Sequence, residues 1–170
     1  MTLLPHPPRQ APAETGAGEL VLRPATAADL DSLAALEKTA FEGDRLTRRR
    51  LRALTAGPSA RLVVAERGGR VVGYALLLLR RGSMVARLYS IAVAAAEAGR
   101  GTGRRLMAFA EAAARSAGAE TLRLEVRADN DRAIPLYTSM GYAAIGERPH
   151  YYEDGMTALR YQKSLLETGA

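Results

Sequence analysis

Between residues 85 and 118 the hydrophobic period of the chain switches from that of a strand to that of a helix, and it switches across glycine. Val85–Val93 is a mostly apolar strand candidate. Leu106, Phe109, Ala110, Ala113 and Ala117 then recur at helical spacing, with Arg104, Ala108, Glu111 and Arg115 read as the opposite, polar face. The hinge between the two is Gly99-Arg100-Gly101-Thr102-Gly103, and Gly118 stops the helix. Beyond it Leu122, Leu124 and Val126 alternate with Arg123, Glu125 and Arg127, the pattern of a half-buried strand. A strand–helix–strand unit of this length calls for two parallel strands joined by a right-handed crossover.

The glycine hinge has a physical use. Glycine lets the backbone approach an anion closely and adopt unusual φ. The unpaired N–H groups of the first helical turn, together with the helix dipole, favour negative charge. Arg100, Arg104 and Arg105 add to that field. The hinge lacks the Lys-Ser/Thr ending of a nucleoside-triphosphate loop and the spacing of the three-glycine dinucleotide fingerprint. Taken alone, it reads equally as a plain strand–helix connection.

The rest of the chain places antiparallel partners around this unit. Leu20–Arg23 is a short strand, and Thr26 caps a helix carrying Leu30, Leu33, Leu36, Ala40 and Phe41. Thr47 caps a second helix with Arg48, Arg49, Arg50 and Arg52, ended by Gly57 and Pro58. Arg61–Ala65 and Val71–Leu79 join across Gly68 and Gly69 as a hairpin. Asn130 caps a short helix to about Ser139, and Tyr142–Ala144 and Ala158–Lys163 are final strands. The order β-α-α-β-β-β-α-β-α-β-β predicts an α/β fold of the α+β type. Its mixed, mostly antiparallel sheet would carry helices on both faces, in one domain over 19–166. Residues 1–18, with four prolines and no periodicity, read as a disordered tail.

Composition removes whole classes of chemistry. There is no cysteine among the 170 residues, hence no thiol nucleophile, disulfide or thiolate metal site. The two histidines, His6 and His150, do not make a metal centre, so no metal is expected. No apolar run approaches membrane-spanning length, and the N-terminus does not read as a secretion signal, so the cytoplasm is the expected location. The net charge of +6 favours anionic partners. The Arg48–Arg52 cluster reads as a solvated helix face or an acceptor-side patch. It lacks the aromatic interleaving of a nucleic-acid-binding surface.

Several motifs together carry a resemblance. Leu88-Tyr89-Ser90-Ile91-Ala92-Val93 followed by Arg100-Gly101-Thr102-Gly103-Arg104-Arg105-Leu106 resembles the GNAT family of N-acetyltransferases, whose signature is Arg/Gln-x-x-Gly-x-Gly/Ala. The likeness continues through Leu124-Glu125-Val126-Arg127, Asn130, Ala133-Ile134-Pro135-Leu136-Tyr137, Gly141-Tyr142 and Tyr151-Tyr152-Glu153-Asp154-Gly155. It spans roughly Leu20 to Leu165 and is nearest the ribosomal-protein-alanine (RimI-like) branch. Ala98 stands where the signature has Arg or Gln. Met156-Thr157-Ala158 stands where the branch has an acid pair before alanine. The segment Phe41 to Thr47 departs from the branch's Pro-Trp-rich stretch.

The resemblance implies acetyl-CoA as co-substrate, held between splayed parallel strands 4 and 5. Ile91, Ala92, Val93, Gly99, Arg100, Gly101, Thr102, Gly103, Arg104 and Asn130 would contact it. Glu125 would be the general base, acting through water, and Tyr137 the general acid for the leaving thiolate. Tyr151 and Tyr152 would wall the acceptor pocket. Each position also has a structural reading. Glu125 can pair with Arg123, Arg127 or a neighbouring strand, Tyr137 can be a core aromatic, Asn130 a helix cap, and the two tyrosines cross-strand packing. His150 is a rival base. An α-amine, with pKa near ~8 against ~10.4 for lysine, suits a distant base best. The expected reaction is direct attack by a protein N-terminal amine in a ternary complex. Lysine or small-amine acetylation, an acyl-CoA sensor and a nucleic-acid-binding module are the alternatives, and the oligomeric state stays open.

Overall fold

In the computed structural model, residues 18–41, 43 and 45–167 are described, so the expected tail lies, Gly18 apart, outside them. The strands are β1 (Leu20–Pro24), β2 (Ala60–Arg67), β3 (Arg70–Leu78), β4 (Val85–Val93), β5 (Thr121–Arg127), β6 (Ala143–Arg148) and β7 (Ala158–Ser164). The helices are α1 (Leu30–Ala40), α2 (Arg48–Ala56), α3 (Thr102–Ser116) and α4 (Ala133–Ser139). They form one seven-stranded sheet in the order β1-β2-β3-β4-β5-β7-β6. Every neighbouring pair is antiparallel except β4 and β5. The single parallel pair is the one that the α3 crossover demands.

Local chemistry sets the boundaries. Thr26 and Asp29 form a reciprocal capping box ahead of α1. The Thr47 hydroxyl accepts from the Arg50 N–H, 3.2 Å away, and starts α2. Gly68 and Gly69, with φ of 58° and 76°, make the tight turn between β2 and β3.

Helices cover both faces, over two separate cores. On one face α3 and α4 bury Leu106, Met107, Ala110 and Tyr137 against Leu88, Ile91, Leu124 and Val126. Gly73 lets α3 settle close, because a Cβ there would lie 3.1 Å from Leu106 Cδ1 and 3.0 Å from the Ala92 carbonyl. On the other face α1 and α2 bury Leu33, Leu36, Leu51 and Leu54 against Val64, Tyr74 and Leu76.

The face assigned to Glu111 needs correction. Glu111 is buried rather than on the polar face of α3, and Met107 is buried with it. Its carboxylate accepts from the Tyr142 hydroxyl at 3.0 Å and from Lys163 Nζ at 3.0 and 3.1 Å. A buried carboxylate with a cation and a hydroxyl as partners is tolerable, whereas an unpartnered one is not.

Candidate active site

The parallel pair comes apart. Register pairing runs from Val85 opposite Thr121 to Leu88 opposite Leu124 and then ends. β4 nevertheless continues to Val93 along β3, and β5 continues to Arg127 along β7. The β3–β4 register slips between Leu76 opposite Ser90 and Leu77 opposite Leu88, leaving Tyr89 as the extra residue of a bulge. That bulge bends β4 where the two strands part.

Alternation along β4 then fixes which backbone groups face the gap. The Ala94 N–H donates to the Val72 carbonyl at 2.7 Å. Residues 94 and 92 therefore spend their backbone groups on β3, and Ile91 and Val93 turn theirs toward the gap. Ala92, expected beside them, has its backbone engaged with β3 and its side chain in the α1–α2 core.

The glycine turn lies at the far end of the gap. Gly99 and Gly101 have φ of 76° and 78°, a conformation that glycine alone adopts without strain. A Cβ at either would meet nothing within 4 Å. Among the described residues, the N–H groups of Gly99, Gly101, Thr102, Gly103 and Arg104 have no hydrogen-bond acceptor. This is a row of donors at the positive end of a fifteen-residue helix, which fits a pyrophosphate. Gly103 brings α3 against its neighbours, since a Cβ there would lie 3.5 Å from Leu136 Cδ2 and 3.9 Å from Val93 Cγ2.

The turn is anchored by a residue that the sequence did not flag. Glu97 is 4% exposed, in a single turn of 3-10 helix (Ala95–Glu97) before the glycines. Its carboxylate accepts from Thr102 Oγ1 at 2.7 Å, Arg67 Nε at 3.0 Å and Arg100 Nη1 at 3.3 Å. Burial would raise its pKa, but Arg67 and Thr102 outweigh burial and hold it below the usual carboxylate value. The side chains of Thr102 and Arg100 therefore point at Glu97, and it is their backbone that lines the turn. Arg104 Nη2 donates to Ser139 Oγ at 2.6 Å, tying α3 to the end of α4.

Glu125 and Tyr137 flank the gap from opposite sheet faces. Glu125 is 6% exposed on β5, on the face away from α3. Its partner is Arg87 of β4, a residue not singled out in advance, with Nη2 2.8 Å from Oε2. Arg87 also donates to the Tyr151 hydroxyl at 3.1 Å. Tyr137, on α4, is fully buried, packs edge-on against Tyr142 at 5.9 Å, and its hydroxyl has no partner among the described residues. Among the described residues, the Tyr152 hydroxyl is the other buried side-chain atom without one. Burial pushes both phenols well above their ordinary pKa, and Tyr152 adds to the effect at Tyr137. Buried hydroxyls are almost always bonded, so these two orphans mark a place for a ligand.

The β6–β7 loop carries Tyr151 and Tyr152 beside Arg87 and Arg127. Tyr151 and Tyr152 stack edge-on at 5.1 Å. The Arg127 guanidinium lies 4.9 Å over the Tyr152 ring and pairs with Asp154 at 2.6 Å and Asp129 at 3.1 Å. A Cβ on Gly43 would lie 3.3 Å from Glu153 Oε2, so the α1–α2 loop meets this loop at the rim. Asn130 accepts from the Ala133 N–H at 3.0 Å and caps α4. His150 is exposed on the loop, with φ of 53°. No cluster of His, Cys, Asp or Glu suited to a metal occurs among the described residues. No described helix is long and apolar enough to cross a membrane.

Residues 28–142 match the model of the Acetyltransferase (GNAT) family. The chain is 38% identical over 134 residues to the N-alpha-acetyltransferase RimI of Mycobacterium tuberculosis, covering 75% of this chain and 80% of that protein. It is 37% identical over 136 residues to an uncharacterised protein of Mycobacterium leprae, covering 78% of this chain but only 37% of that longer protein. Among solved structures, the ribosomal-protein-S18-alanine N-acetyltransferase from Escherichia coli superposes with a TM-score of 0.79 at 25% identity, over 89% of this chain and 97% of that one.

Proposed function

The chain belongs to the acetyltransferase (GNAT) family, and on that premise we propose that it transfers an acetyl group from acetyl-CoA to a peptide N-terminal α-amine by direct attack in a ternary complex. The observation that carries this reading is the parting of β4 and β5 beyond Leu88 and Leu124, with a glycine turn at one end and Glu125 and Tyr137 on its walls.

Acetyl-CoA supplies the activated thioester. The donor row from Gly99 to Arg104 holds its pyrophosphate, and the gap-facing backbone of Ile91 and Val93 takes its pantetheine arm as an added strand. The same backbone donates to the thioester carbonyl as charge builds there. Asn130, at the mouth of α4, flanks the arm. Arg87 fixes one oxygen of Glu125 and leaves Oε1 to accept a proton from the amine through water. Tyr137, held protonated by burial, gives its proton to the departing thiolate. Tyr151 and Tyr152 bound the acceptor.

An α-amine fits because roughly a quarter of it is neutral near pH 7.5, against about one lysine in a thousand. A base that works through water then has little to do. The relatives named for α-amine acetylation point the same way. The test is an acceptor screen with labelled acetyl-CoA over free-N-terminus peptides, N-blocked lysine peptides and polyamines. Label on the first set alone is the expected result. Label on lysine or polyamines instead would move the acceptor to those classes.

A further inference from the structure

Helices α1 and α2 cover the sheet only over β2, β3 and β4 on their side. Among the described residues the same face of β5, β7 and β6 carries no helix, and arginines surround Glu125 on it. Arg160 of β7 lies directly opposite Glu125, and Arg87 of β4 lies directly opposite Arg123. Arg123 and Arg127 flank Glu125 along β5, and Arg148 of β6 sits opposite Ala158 on the same side. Leu159 and Tyr161 pack into the α3–α4 core, which sets Arg160 on the uncovered face.

The charges do not balance. Arg87 takes Glu125, and Arg127 takes Asp129 and Asp154. Arg123 donates to Gln162, Arg148 lies over the Tyr151 ring, and Arg160 has no polar partner among the described residues. None of these three has a carboxylate partner among the described residues. Arg87 and Arg123 lie directly opposite one another, an unfavourable pairing of like charges, and the Glu125 carboxylate beside them is taken by Arg87, which leaves Arg123 without one.

We propose that this face docks the acceptor peptide downstream of its reacting amine, and that it selects acceptors with acidic side chains in their first few residues. The proposal rests on the α-amine reading above and names its substrate class. An extended peptide leaving Glu125 along β5 and β7 passes Arg160 and Arg123 at side-chain spacing. The exposed carboxylates of Asp129 and Asp154 border the same face. They would repel a continuous polyanion, while discrete carboxylates can settle between the arginines. That mixed field favours an acidic peptide over a nucleic acid.

Two free-N-terminus octapeptides test the idea, one beginning Ala-Asp-Glu-Asp and one beginning Ala-Ser-Gln-Ser. Acetylation kinetics are measured for the wild type and for the double variant Arg123→Gln/Arg160→Gln, with thermal melting as a check on folding and Arg160→Gln alone as a milder variant. The acidic peptide should have a kcat/KM roughly three- to tenfold higher, expressed in KM and falling as salt is raised. The variant should lose most of that ratio. Equal kcat/KM for the two peptides, or a ratio that survives the variant, overturns the proposal. If neither peptide is acetylated, the α-amine reading fails, and fluorescence anisotropy of the labelled acidic peptide decides for the surface. Binding lost in the variant supports it and absence of binding overturns it. Tighter, variant-sensitive binding of an oligouridylate overturns it in favour of nucleic acid.

Discussion

Arg87 Nη2 lies 2.8 Å from Glu125 Oε2, so the carboxylate at the gap is paired across the two strands that part beside it. Glu125 and Tyr151 outweigh desolvation and raise the pKa of the guanidinium, which stays charged. One cation thus ties together β4, β5 and the loop carrying Tyr151. The ion pair aims the proposed base, with Oε2 held and Oε1 left outside it.

Glu125→Gln should lower kcat by about 100-fold or more. The deficit should narrow above pH ~8, where the α-amine loses its proton unaided. Rate–pH profiles of both enzymes check this. A deficit of constant size across pH would leave Glu125 a structural partner of Arg87.

Tyr137→Phe should separate activity from stability. The hydroxyl is buried and unpartnered, so its removal should keep the melting temperature or raise stability by up to ~1 kcal/mol. Turnover should fall about 100-fold, with little change in acetyl-CoA affinity. Melting curves, calorimetric titration and kinetics give the three readings, and unchanged turnover would take Tyr137 out of the mechanism.

Glu97→Gln should destabilise the protein by roughly 1–3 kcal/mol near neutral pH. Because the pKa of Glu97 is depressed in the folded state, its contribution is complete above the ordinary carboxylate pKa. It is lost as pH falls through the depressed one. The gap in melting temperature between wild type and variant should therefore be widest near neutrality and close in acid. A gap independent of pH would mean that the charge on Glu97 is not what anchors Arg67 and Thr102.

Acetyl-CoA at a hundred times its Kd should stabilise the protein by about 2.7 kcal/mol. Gly101→Ala and Gly118→Ala provide a matched pair. Both glycines have left-handed φ, 78° and 88°, and neither has an atom within 4 Å of a Cβ position. Each substitution should cost about 1–2 kcal/mol of backbone strain. Gly101→Ala alone should also blunt the thermal shift with acetyl-CoA, and equal shifts in both variants would move the cofactor away from the turn.

Elements that depend on local signals were legible in the sequence. The strand Val85–Val93 stands at its expected bounds, Thr47 caps α2, Asn130 caps α4, and the strand–helix–strand period required the parallel pair. Contacts between distant residues were not. Glu111 sits at a polar position of the α3 wheel, and Tyr142 and Lys163, 31 and 52 residues on, make its burial tolerable. Arg87 meets Glu125 across 38 residues, and Glu97 meets Arg67 across 30. Spacing along one element carries no trace of such partners.

The short register between β4 and β5 has a mechanical consequence. Four residue pairs, Val85–Thr121 to Leu88–Leu124, are all the ladder that stitches strands β1 to β4 to strands β5 to β7. The weakest seam of this sheet therefore runs through its middle rather than along an edge. A co-substrate lying in the seam would act as a removable staple. Amide exchange at Ile91 and Val93 would slow once it is in place, and the two half-sheets would breathe together rather than apart.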